Sequence, residues 1–481
     1  MNRLMVFNTI GRIIRAEAAL LLLPAAVSLI YQEYNCLWSF LISATVAFVV
    51  GSLLALICRP QNQVIYAKEG LAIVALVWLF VSVIGALPFM ISGEVPSFAD
   101  AFFEIVSGFT TTGASILTNV EGMSHGLLFW RSFSHWIGGM GVLVFVMALI
   151  PNLSDRSIHI MRAEMPGPVV GKLVPKVKDT AKILYLIYIV LTAVEVVLLM
   201  LGGMSFFESL LYSFGTAGTG GFGIKANSVE GYSSYLQWVI AVFMLIFGIN
   251  FNLFYLALIR RFRSVLRSTE LWAYFGIVAV SIAVITLNIL PAYSGISEAF
   301  RLSSFQVASI ITTTGFSTAD FNVWPGLSKA ILFILMFIGG CAGSTAGGIK
   351  VSRVVMMVKM VFNELRFVVR PRSVNTVHFE GKTVDEQTQR SVANYFLIYI
   401  LCYCAIFLLI CFEPFGFESN FTAVSACFNN VGPGFGAVGP YGGFADYSAF
   451  SKIVLSFAML FGRLEIFPML IAFTPYTWTR K

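Results

Sequence analysis

The sequence predicts an all-α, polytopic membrane protein with about ten transmembrane helices, each of which needs about 20 apolar residues to cross a bilayer. Hydrophobic residues make up 58% of the 481-residue chain and charged residues make up 11%. That charged share is about half the share in an ordinary soluble domain, so most of the surface is predicted to face lipid. A third observation is an internal repeat, which divides the chain after its first two helices into four similar units.

Apolar segments of spanning length recur along the whole chain. We predict spans at residues 17–34, 37–58, 70–92, 127–150, 183–203, 236–258, 271–290, 327–349, 393–412 and 451–475. The first span follows basic residues but lacks a small-residue cleavage pattern, so we expect it to be retained.

Basic residues are distributed unevenly between the connections. Most of the 31 Lys and Arg residues fall in the two termini and in alternate connections between the predicted spans. This pattern is typical of the positive-inside rule. It predicts that both termini are cytoplasmic, together with the long mixed-charge stretch at residues 351–391. The formal net charge of +7 therefore reflects membrane topology, and we expect no nucleic-acid partner.

Four connections on the predicted external side are too apolar for exposed loops and too short for full spans. They cover residues 93–126, 204–235, 291–326 and 413–450. Each begins with an apolar half-helix, predicted at residues 98–109, 206–214, 296–311 and 421–428, and continues into a Thr-, Gly- or Asn-rich stretch. The repeating unit is therefore helix, pore loop, helix, arranged pseudo-symmetrically around one pore. The predicted segments are residues 1–68 (two N-terminal helices) and the four repeats 69–178, 179–268, 269–390 and 391–481.

The glycine-centred stretches carry the predicted chemistry. They are Thr110-Thr111-Thr112-Gly113, Thr219-Gly220-Gly221, Thr312-Thr313-Thr314-Gly315 and Asn429-Asn430-Val431-Gly432. Irregular backbone at membrane depth is tolerated only inside protein or along a water-filled cavity. Glycine lets backbone carbonyls point into a narrow pore, where they replace the hydration shell of a potassium ion. Helix packing would explain one such glycine, but four loops with the same order favour a shared filter.

The register of the second loop has two alternatives. The spacing from the preceding serine favours Gly220 as the key glycine. Alignment of the following Gly-Phe pair with Gly315-Phe316 favours Gly221 instead. The sequence leaves both alternatives open.

The eighth predicted span is interrupted by small residues. Residues 339–348 contain Gly339, Gly340, Gly343, Gly347 and Gly348. A kinked helix is one interpretation, but an unwound loop that faces the pore is favoured. In the last span, Arg463 requires a partner or water because an isolated cation in lipid is costly. Glu465 is the neighbour that could pair with it.

The four glycine-centred stretches around Gly113, Gly220, Gly315 and Gly432 together resemble the four filter segments of the Trk/Ktr/HKT superfamily of potassium transporters. The two-helix start and the length resemble the bacterial TrkH/TrkG branch, so the resemblance covers essentially the whole chain. It implies potassium uptake across the bacterial cytoplasmic (inner) membrane, and a glycine rather than a serine at Gly113 implies selectivity for K⁺. The implied ion-coordinating residues are Thr111, Thr112, Gly113, Thr219, Gly220 or Gly221, Thr313, Thr314, Gly315, Asn430, Val431 and Gly432.

The resemblance also implies how the pore is controlled. Residues 339–348, which Lys350 follows, match the intramembrane gating loop of the superfamily, and Arg463 would limit cation passage below the filter. The expected partners are a second copy of the chain and a TrkA-like cytosolic subunit with RCK domains, which binds NAD(H) or adenine nucleotides. We expect no organic cofactor in this chain, because it has no phosphate-cradling motif.

Two other function classes are alternatives. An ion-coupled secondary transporter, driven by H⁺ or Na⁺, also uses broken helices, but usually in two inverted repeats. An enzyme would need a cluster of catalytic groups. His125, His135, His159 and His378 are scattered, and Glu104, Glu195 and Glu208 are isolated in the sequence. The sequence therefore disfavours an enzyme and leaves passive conduction and ion coupling unresolved.

Overall fold

The computed structural model describes residues 2–60, 67–141, 177–372 and 376–478, and nearly all regular structure in them is helical. The helices are α1 (Arg3–Leu20), α2 (Leu22–Ile30), α3 (Tyr34–Ile57), α4 (Ala67–Ile91), α5 (Phe98–Phe109), α6 (His125–Gly139), α7 (Val177–Leu201), α8 (Phe206–Gly218), α9 (Ser234–Phe247), α10 (Phe251–Leu258), α11 (Phe262–Leu266), α12 (Thr269–Ile289), α13 (Ile296–Ile311), α14 (Gly326–Ile338), α15 (Val351–Val369), α16 (Glu386–Ile410), α17 (Phe417–Phe428), α18 (Ala449–Arg463), α19 (Phe467–Phe473) and α20 (Pro475–Trp478). Short 3₁₀ turns lie at Leu290–Ala292, Phe321–Val323 and Gly436–Val438, and a small antiparallel hairpin pairs β1 (His378–Phe379) with β2 (Lys382–Thr383).

Several of these helices have the length and composition of membrane spans. Among the described residues, six qualify: Arg3–Ile30, Tyr34–Ile57, Lys68–Ile91, Lys182–Leu201, Thr269–Ala292 and Glu386–Ile410. Two bent helix pairs raise the number to as many as eight, and α14 is a shorter apolar helix. The predicted all-α membrane class is confirmed. Residues 142–150 of the predicted span 127–150 lie outside the described residues.

Three predicted spans are interrupted. α14 and α15 are separated by the glycine-rich segment, as its composition predicts. The other two breaks correct our prediction of continuous helices at 236–258 and 451–475, because the chain bends by 90° between α9 and α10 and by 120° between α18 and α19. At the first bend the Asn250 side chain accepts a hydrogen bond from the Asn252 amide at 3.0 Å and starts a new helix. At the second, Glu465 and Ile466 adopt left-handed backbone with φ of 57° and 65°.

The four half-helices α5, α8, α13 and α17 form the centre of the molecule. Their last two turns are buried on all sides. Two of the predicted half-helices were too short, because α8 continues to Gly218 and α17 begins at Phe417. The longer helices surround this centre and expose large apolar side chains outward, for example Trp38 and Leu56 on α3. Such a surface suits lipid rather than water.

The two N-terminal helices α1 and α3 pack closely through small residues. A Cβ atom added to Gly11 would lie 2.7 Å from the Gly51 carbonyl oxygen, and one added to Gly51 would lie 2.7 Å from the Gly11 oxygen. Such pairs of small residues let membrane helices approach closely. The two ends of the chain also adjoin, because the Arg3 guanidinium donates to the Trp478 carbonyl oxygen at 2.7 Å.

Candidate functional site

The loops that follow the four half-helices share one backbone conformation. Each has a left-handed non-glycine residue and, two positions later, a left-handed glycine. The residues and φ angles are Thr111 (55°) and Gly113 (79°), Thr219 (55°) and Gly221 (76°), Thr313 (56°) and Gly315 (86°), and Asn430 (56°) and Gly432 (97°). Left-handed backbone is uncommon in residues other than glycine. Its recurrence at equivalent positions makes the repeat a property of the fold.

Hydrogen bonds explain this conformation. In each loop the residue before the left-handed glycine donates its amide to a carbonyl in the last turn of the half-helix. The pairs are Thr112 to Ser107 at 2.9 Å, Gly220 to Gly215 at 2.8 Å, Thr314 to Ser309 at 2.8 Å and Val431 to Ala426 at 2.8 Å. The left-handed residue one position earlier donates its amide to the carbonyl that follows the first acceptor, as Thr111 does to Gly108. All four half-helices therefore end in a Schellman motif.

The same bonds establish the register of the second loop. Gly221, not Gly220, occupies the position of Gly113, Gly315 and Gly432. The serine spacing gave the wrong register because the second loop has Gly215, not a serine, at the position equivalent to Ser107. Of the two alternatives that the sequence left open, the structure therefore supports the Gly-Phe alignment.

The four glycines and the four preceding carbonyls form a closed ring. A side chain added to any of these glycines would fall on a carbonyl oxygen of the next loop: Gly113 on Gly220, Gly221 on Thr314, Gly315 on Val431 and Gly432 on Thr112. The order runs from the first loop to the fourth and returns to the first. A side chain at these positions would strain the left-handed backbone and force the neighbouring carbonyl to move, so glycine is strongly favoured.

One face of the ring opens into a polar cavity of about 420 Å³, which contacts all four left-handed glycines. Its wall includes Asp446 and Tyr441, and the Tyr441 hydroxyl donates to Glu230 at 2.8 Å. Partial burial and the neighbouring Glu230 carboxylate raise the pKa of Tyr441. We call this cavity the vestibule.

The left-handed residues of the loops also carry side-chain oxygens. Within the described part of the chain, Thr111 Oγ1 and Asn430 Oδ1 are buried without a hydrogen-bond partner. A buried polar oxygen without a partner is costly. Thr111 Oγ1, whose residue precedes the ring carbonyl of Thr112, is suited to contact a partly dehydrated cation. Asn430 Oδ1 instead lies beside Gly462 on α18.

A buried ion pair packs against the segments that follow the first and second loops. Arg131 on α6 donates to the Glu104 carboxylate on α5 at 2.7 Å, and both side chains are almost fully buried. Glu104 also accepts the Ile116 amide at 3.0 Å, while the guanidinium stacks over the Phe222 ring at 4.0 Å. The sequence identified Glu104 only as an isolated carboxylate, because its partner is distant in the chain.

The glycine-rich segment between α14 and α15 packs directly against the ring. The Gly347 amide donates to Thr313 Oγ1 at 2.6 Å. A Cβ atom on Gly347 would lie 2.5 Å from the Asn429 carbonyl oxygen. At the bend between α9 and α10, the Cys341 amide donates to the Gly248 carbonyl oxygen at 3.0 Å, and the Phe251 amide donates to the Gly343 carbonyl oxygen at 3.0 Å. The segment is therefore held between the loops and this bend.

Arg463 contacts the glycine-rich segment and not its sequence neighbour. Its guanidinium donates to the carbonyl oxygens of Thr345 at 2.7 Å and Gly139 at 2.7 Å. Glu465, which the sequence offered as a partner, instead forms two hydrogen bonds of 2.8 and 2.6 Å with Arg353. The left-handed turn at Glu465 separates the two side chains.

The glycine-rich segment and the first turn of α15 share a partner that sequence reasoning missed. Glu270, at the start of α12, accepts the amides of Ala342 at 2.7 Å and Ser352 at 3.1 Å. Lys350 is buried, and its ammonium donates to the Ala346 carbonyl. Only the position of Glu270 in a first helical turn was visible in the sequence, and that position is a common one for a carboxylate.

A ring of four loops at the centre of a polytopic helical protein defines the chain as a membrane transport protein. Residues 38–478 match the model of the TrkH family, described as cation transport protein. The chain belongs to this family. The predicted membership of the Trk/Ktr/HKT superfamily and of its TrkH/TrkG branch is thereby confirmed.

Individual relatives match over nearly their whole length. The Trk system potassium uptake protein TrkH of Salmonella typhimurium is 36% identical, with 98% of this chain and 99% of the relative covered. The Trk system potassium uptake protein TrkG of Escherichia coli is 32% identical, with 95% and 94% covered. The crystal structure of the potassium transporter TrkH from Vibrio parahaemolyticus superposes with a TM-score of 0.89 at 32% identity and covers 100% of both chains.

Loss of the Arg353–Glu465 ion pair is expected to lower the stability of the protein. Glu465→Gln leaves a mostly buried guanidinium without its counter-charge, and hydrogen bonds to charged groups contribute about 1.5–3 kcal/mol each. We expect a lower thermal unfolding midpoint in detergent. Glu386→Gln is the matched control, because the Glu386–Arg390 pair is 3.8 Å long and highly exposed. Equal midpoints for the two variants would contradict this role of Glu465.

Proposed function

We propose that the chain takes up potassium across the bacterial cytoplasmic membrane through a channel-like pore whose selectivity filter is the four-loop ring. The observation that carries the proposal is the closed order of the ring, in which every glycine adjoins a carbonyl of the next loop. The relatives named as potassium uptake proteins support the choice of ion.

The proposed filter uses three consecutive residues from each repeat. Carbonyl oxygens that face a narrow axis replace the water around K⁺. The half-helices end at the ring, and the partial negative charge of helix C-termini favours a cation there. The proposed K⁺-coordinating set is Thr111, Thr112, Gly113, Thr219, Gly220, Gly221, Thr313, Thr314, Gly315, Asn430, Val431 and Gly432, contributed by the repeats 69–178, 179–268, 269–390 and 391–481.

We further propose that residues 339–348, with Lys350 and Arg463, form the gate. The support is the position of this segment against the third and fourth loops, with Gly347 bonded to Thr313. An ion that leaves the ring away from the vestibule meets this segment. Arg463 holds it to the end of α6, so release of these hydrogen bonds is the step that opens the pathway.

The remaining proposals concern topology and partners. The charge distribution supports cytoplasmic termini, and the contact between Arg3 and Trp478 keeps the two termini together. A TrkA-like RCK subunit that binds NAD(H) or adenine nucleotides would dock on the same side, near residues 351–391. The relatives' names, which refer to a Trk system, are in keeping with several components.

The exposed surface of α15 supports a homodimer. It carries Phe362, Leu365 and Val369 on one apolar face.

One observation favours the alternative of ion coupling. Glu17 and Glu195 are fully buried, and their carboxylate oxygens have no hydrogen-bond partner among the described residues. Buried carboxyl groups inside a membrane protein can take up and release protons. Both lie outside the ring, so a proton-coupled mechanism would place the proton and potassium sites apart.

Flux measurements test the filter. Reconstituted wild-type protein is expected to admit Rb⁺, a K⁺ substitute, in preference to Na⁺. In Gly113→Ser the added side chain falls on the Gly220 carbonyl, so we expect the Rb⁺/Na⁺ uptake ratio to fall by about an order of magnitude, since overpacking costs about 1–3 kcal/mol. Gly231→Ser is the matched control, because its nearest neighbouring atom is 3.5 Å away.

Two outcomes would contradict these assignments. Exclusion of Rb⁺ by the wild type would overturn the potassium filter. Accumulation of Rb⁺ against its own gradient when a pH gradient is imposed would overturn passive conduction in favour of proton coupling.

The gate makes a separate prediction. Arg463→Ala removes the hydrogen bonds to Thr345 and to the end of α6, so the segment is released and Rb⁺ uptake rises. We expect about a tenfold increase, on the basis of about 1.5–3 kcal/mol for a charge-assisted hydrogen bond. Arg390→Ala, which removes an exposed guanidinium, should leave uptake unchanged. Wild-type uptake by Arg463→Ala at equal protein amounts would exclude this role.

A further inference from the structure

The second loop lacks the side chains that brace the other loops. In the first loop the hydroxyls of Thr110 and Thr112 hydrogen-bond to each other at 2.7 Å. In the third loop, Thr312 and Thr314 do the same at 2.8 Å. The fourth loop uses Asn429 at the earlier of these positions, and its amide oxygen accepts the Tyr399 hydroxyl at 2.6 Å.

The equivalent positions in the second loop are Gly218 and Gly220. Neither has a positive φ angle, so their backbone conformations would accept any residue. Gly220 is also not the glycine that closes the ring. The reason for glycine at these two positions therefore lies in the space around them.

His135 on α6 occupies that space. A Cβ atom on Gly220 would fall on the imidazole ring, and one on Gly218 would fall on the His135 carbonyl oxygen. The His135 side chain is completely buried. Its ring centroid lies 4.2 Å from that of Phe222, the residue that follows the left-handed Gly221.

The hydrogen bonds of His135 fix its tautomer. Nδ1 lies 2.8 Å from the Gly108 carbonyl oxygen, which can only accept, so Nδ1 carries the hydrogen. The Phe222 amide donates to Nε2 at 3.3 Å, so Nε2 is the acceptor. Only the neutral Nδ1–H form satisfies both contacts.

The contact with Gly108 joins two loops. The same carbonyl oxygen accepts the amide of Thr111 at 3.1 Å and so closes the helix-ending motif of the first loop. The imidazole therefore connects the end of α5 to the residue after Gly221.

We propose that His135 is a positioning residue of the filter, and that its imidazole replaces the side chains absent at Gly218 and Gly220. This inference rests on the proposed function, because it assigns His135 to the geometry of the same ring. His135 holds the second loop at the distance at which Gly221 meets Thr314 and Gly113 meets Gly220.

A double-mutant cycle tests the fit between His135 and Gly220. Gly220→Ala alone places a methyl group on the imidazole, and His135→Ala alone removes both hydrogen bonds. We expect each single variant to lower the Rb⁺/Na⁺ uptake ratio of proteoliposomes roughly tenfold, as overpacking or a lost buried contact does. In the double variant the methyl group has room, so Gly220→Ala should cause little further loss when His135 is already alanine. Gly276→Ala, which has no atom within 4 Å of its added methyl group, is the control.

A second pair of variants separates hydrogen bonding from packing. Glutamine can donate from its amide nitrogen and accept at its oxygen, whereas leucine of similar size can do neither. We expect His135→Gln to retain more Rb⁺/Na⁺ discrimination than His135→Leu at matched thermal unfolding midpoints. This comparison also serves if His135→Ala does not fold.

The outcomes are distinguishable. Equal effects of Gly220→Ala with and without His135, together with equal ratios for the glutamine and leucine variants, would overturn the inference and leave the filter standing. Failure of the wild type to discriminate Rb⁺ from Na⁺ would instead overturn the filter and this inference together.

Discussion

Backbone polar groups inside a membrane protein must be satisfied without water, and the four loops meet this requirement through one arrangement. Each half-helix ends in a Schellman motif that turns two amides back onto its last turn. The turn leaves a glycine against the carbonyl of the next loop. A side chain at any of the four glycines would displace the carbonyl of the next loop and open the ring.

The backbone of the ring is nearly four-fold symmetric, but its side-chain supports are not. Threonine pairs brace the first and third loops, whereas His135 serves the second. The Asn430 amide crosses from the fourth loop to Thr112 at 2.9 Å. A single chain can vary its supports in this way because each repeat has its own sequence. The glycine-rich segment also breaks the four-fold symmetry, because it belongs to the third repeat and contacts the third and fourth loops.

Much of this architecture was predictable from the sequence. The hydrophobic spans and the repeated Thr-Gly stretches predicted the membrane class, the half-helices and the four loops, because length and composition determine them locally. Family membership followed from the same motifs. The interruption at residues 339–348 was visible because five glycines stand close together.

The missed features depend on contacts between distant residues. The register at Gly221 follows from a hydrogen-bond pattern in which Gly215 stands where other loops have serine or alanine. The bend near Gly248 has one glycine and an asparagine cap, which is too weak a signal in an apolar run. Glu465 lies two residues from Arg463, yet a left-handed turn directs it to Arg353. His135 looked isolated because its partners come from other helices.

Anomalous diffraction from crystals grown in Rb⁺ or in Na⁺ tests the ring most directly. We expect Rb⁺ density on the axis enclosed by the carbonyl oxygens of Thr112, Gly220, Thr314 and Val431, and none there in Na⁺. Rb⁺ density confined to other parts of the molecule, with the ring intact, would contradict its assignment as the potassium filter.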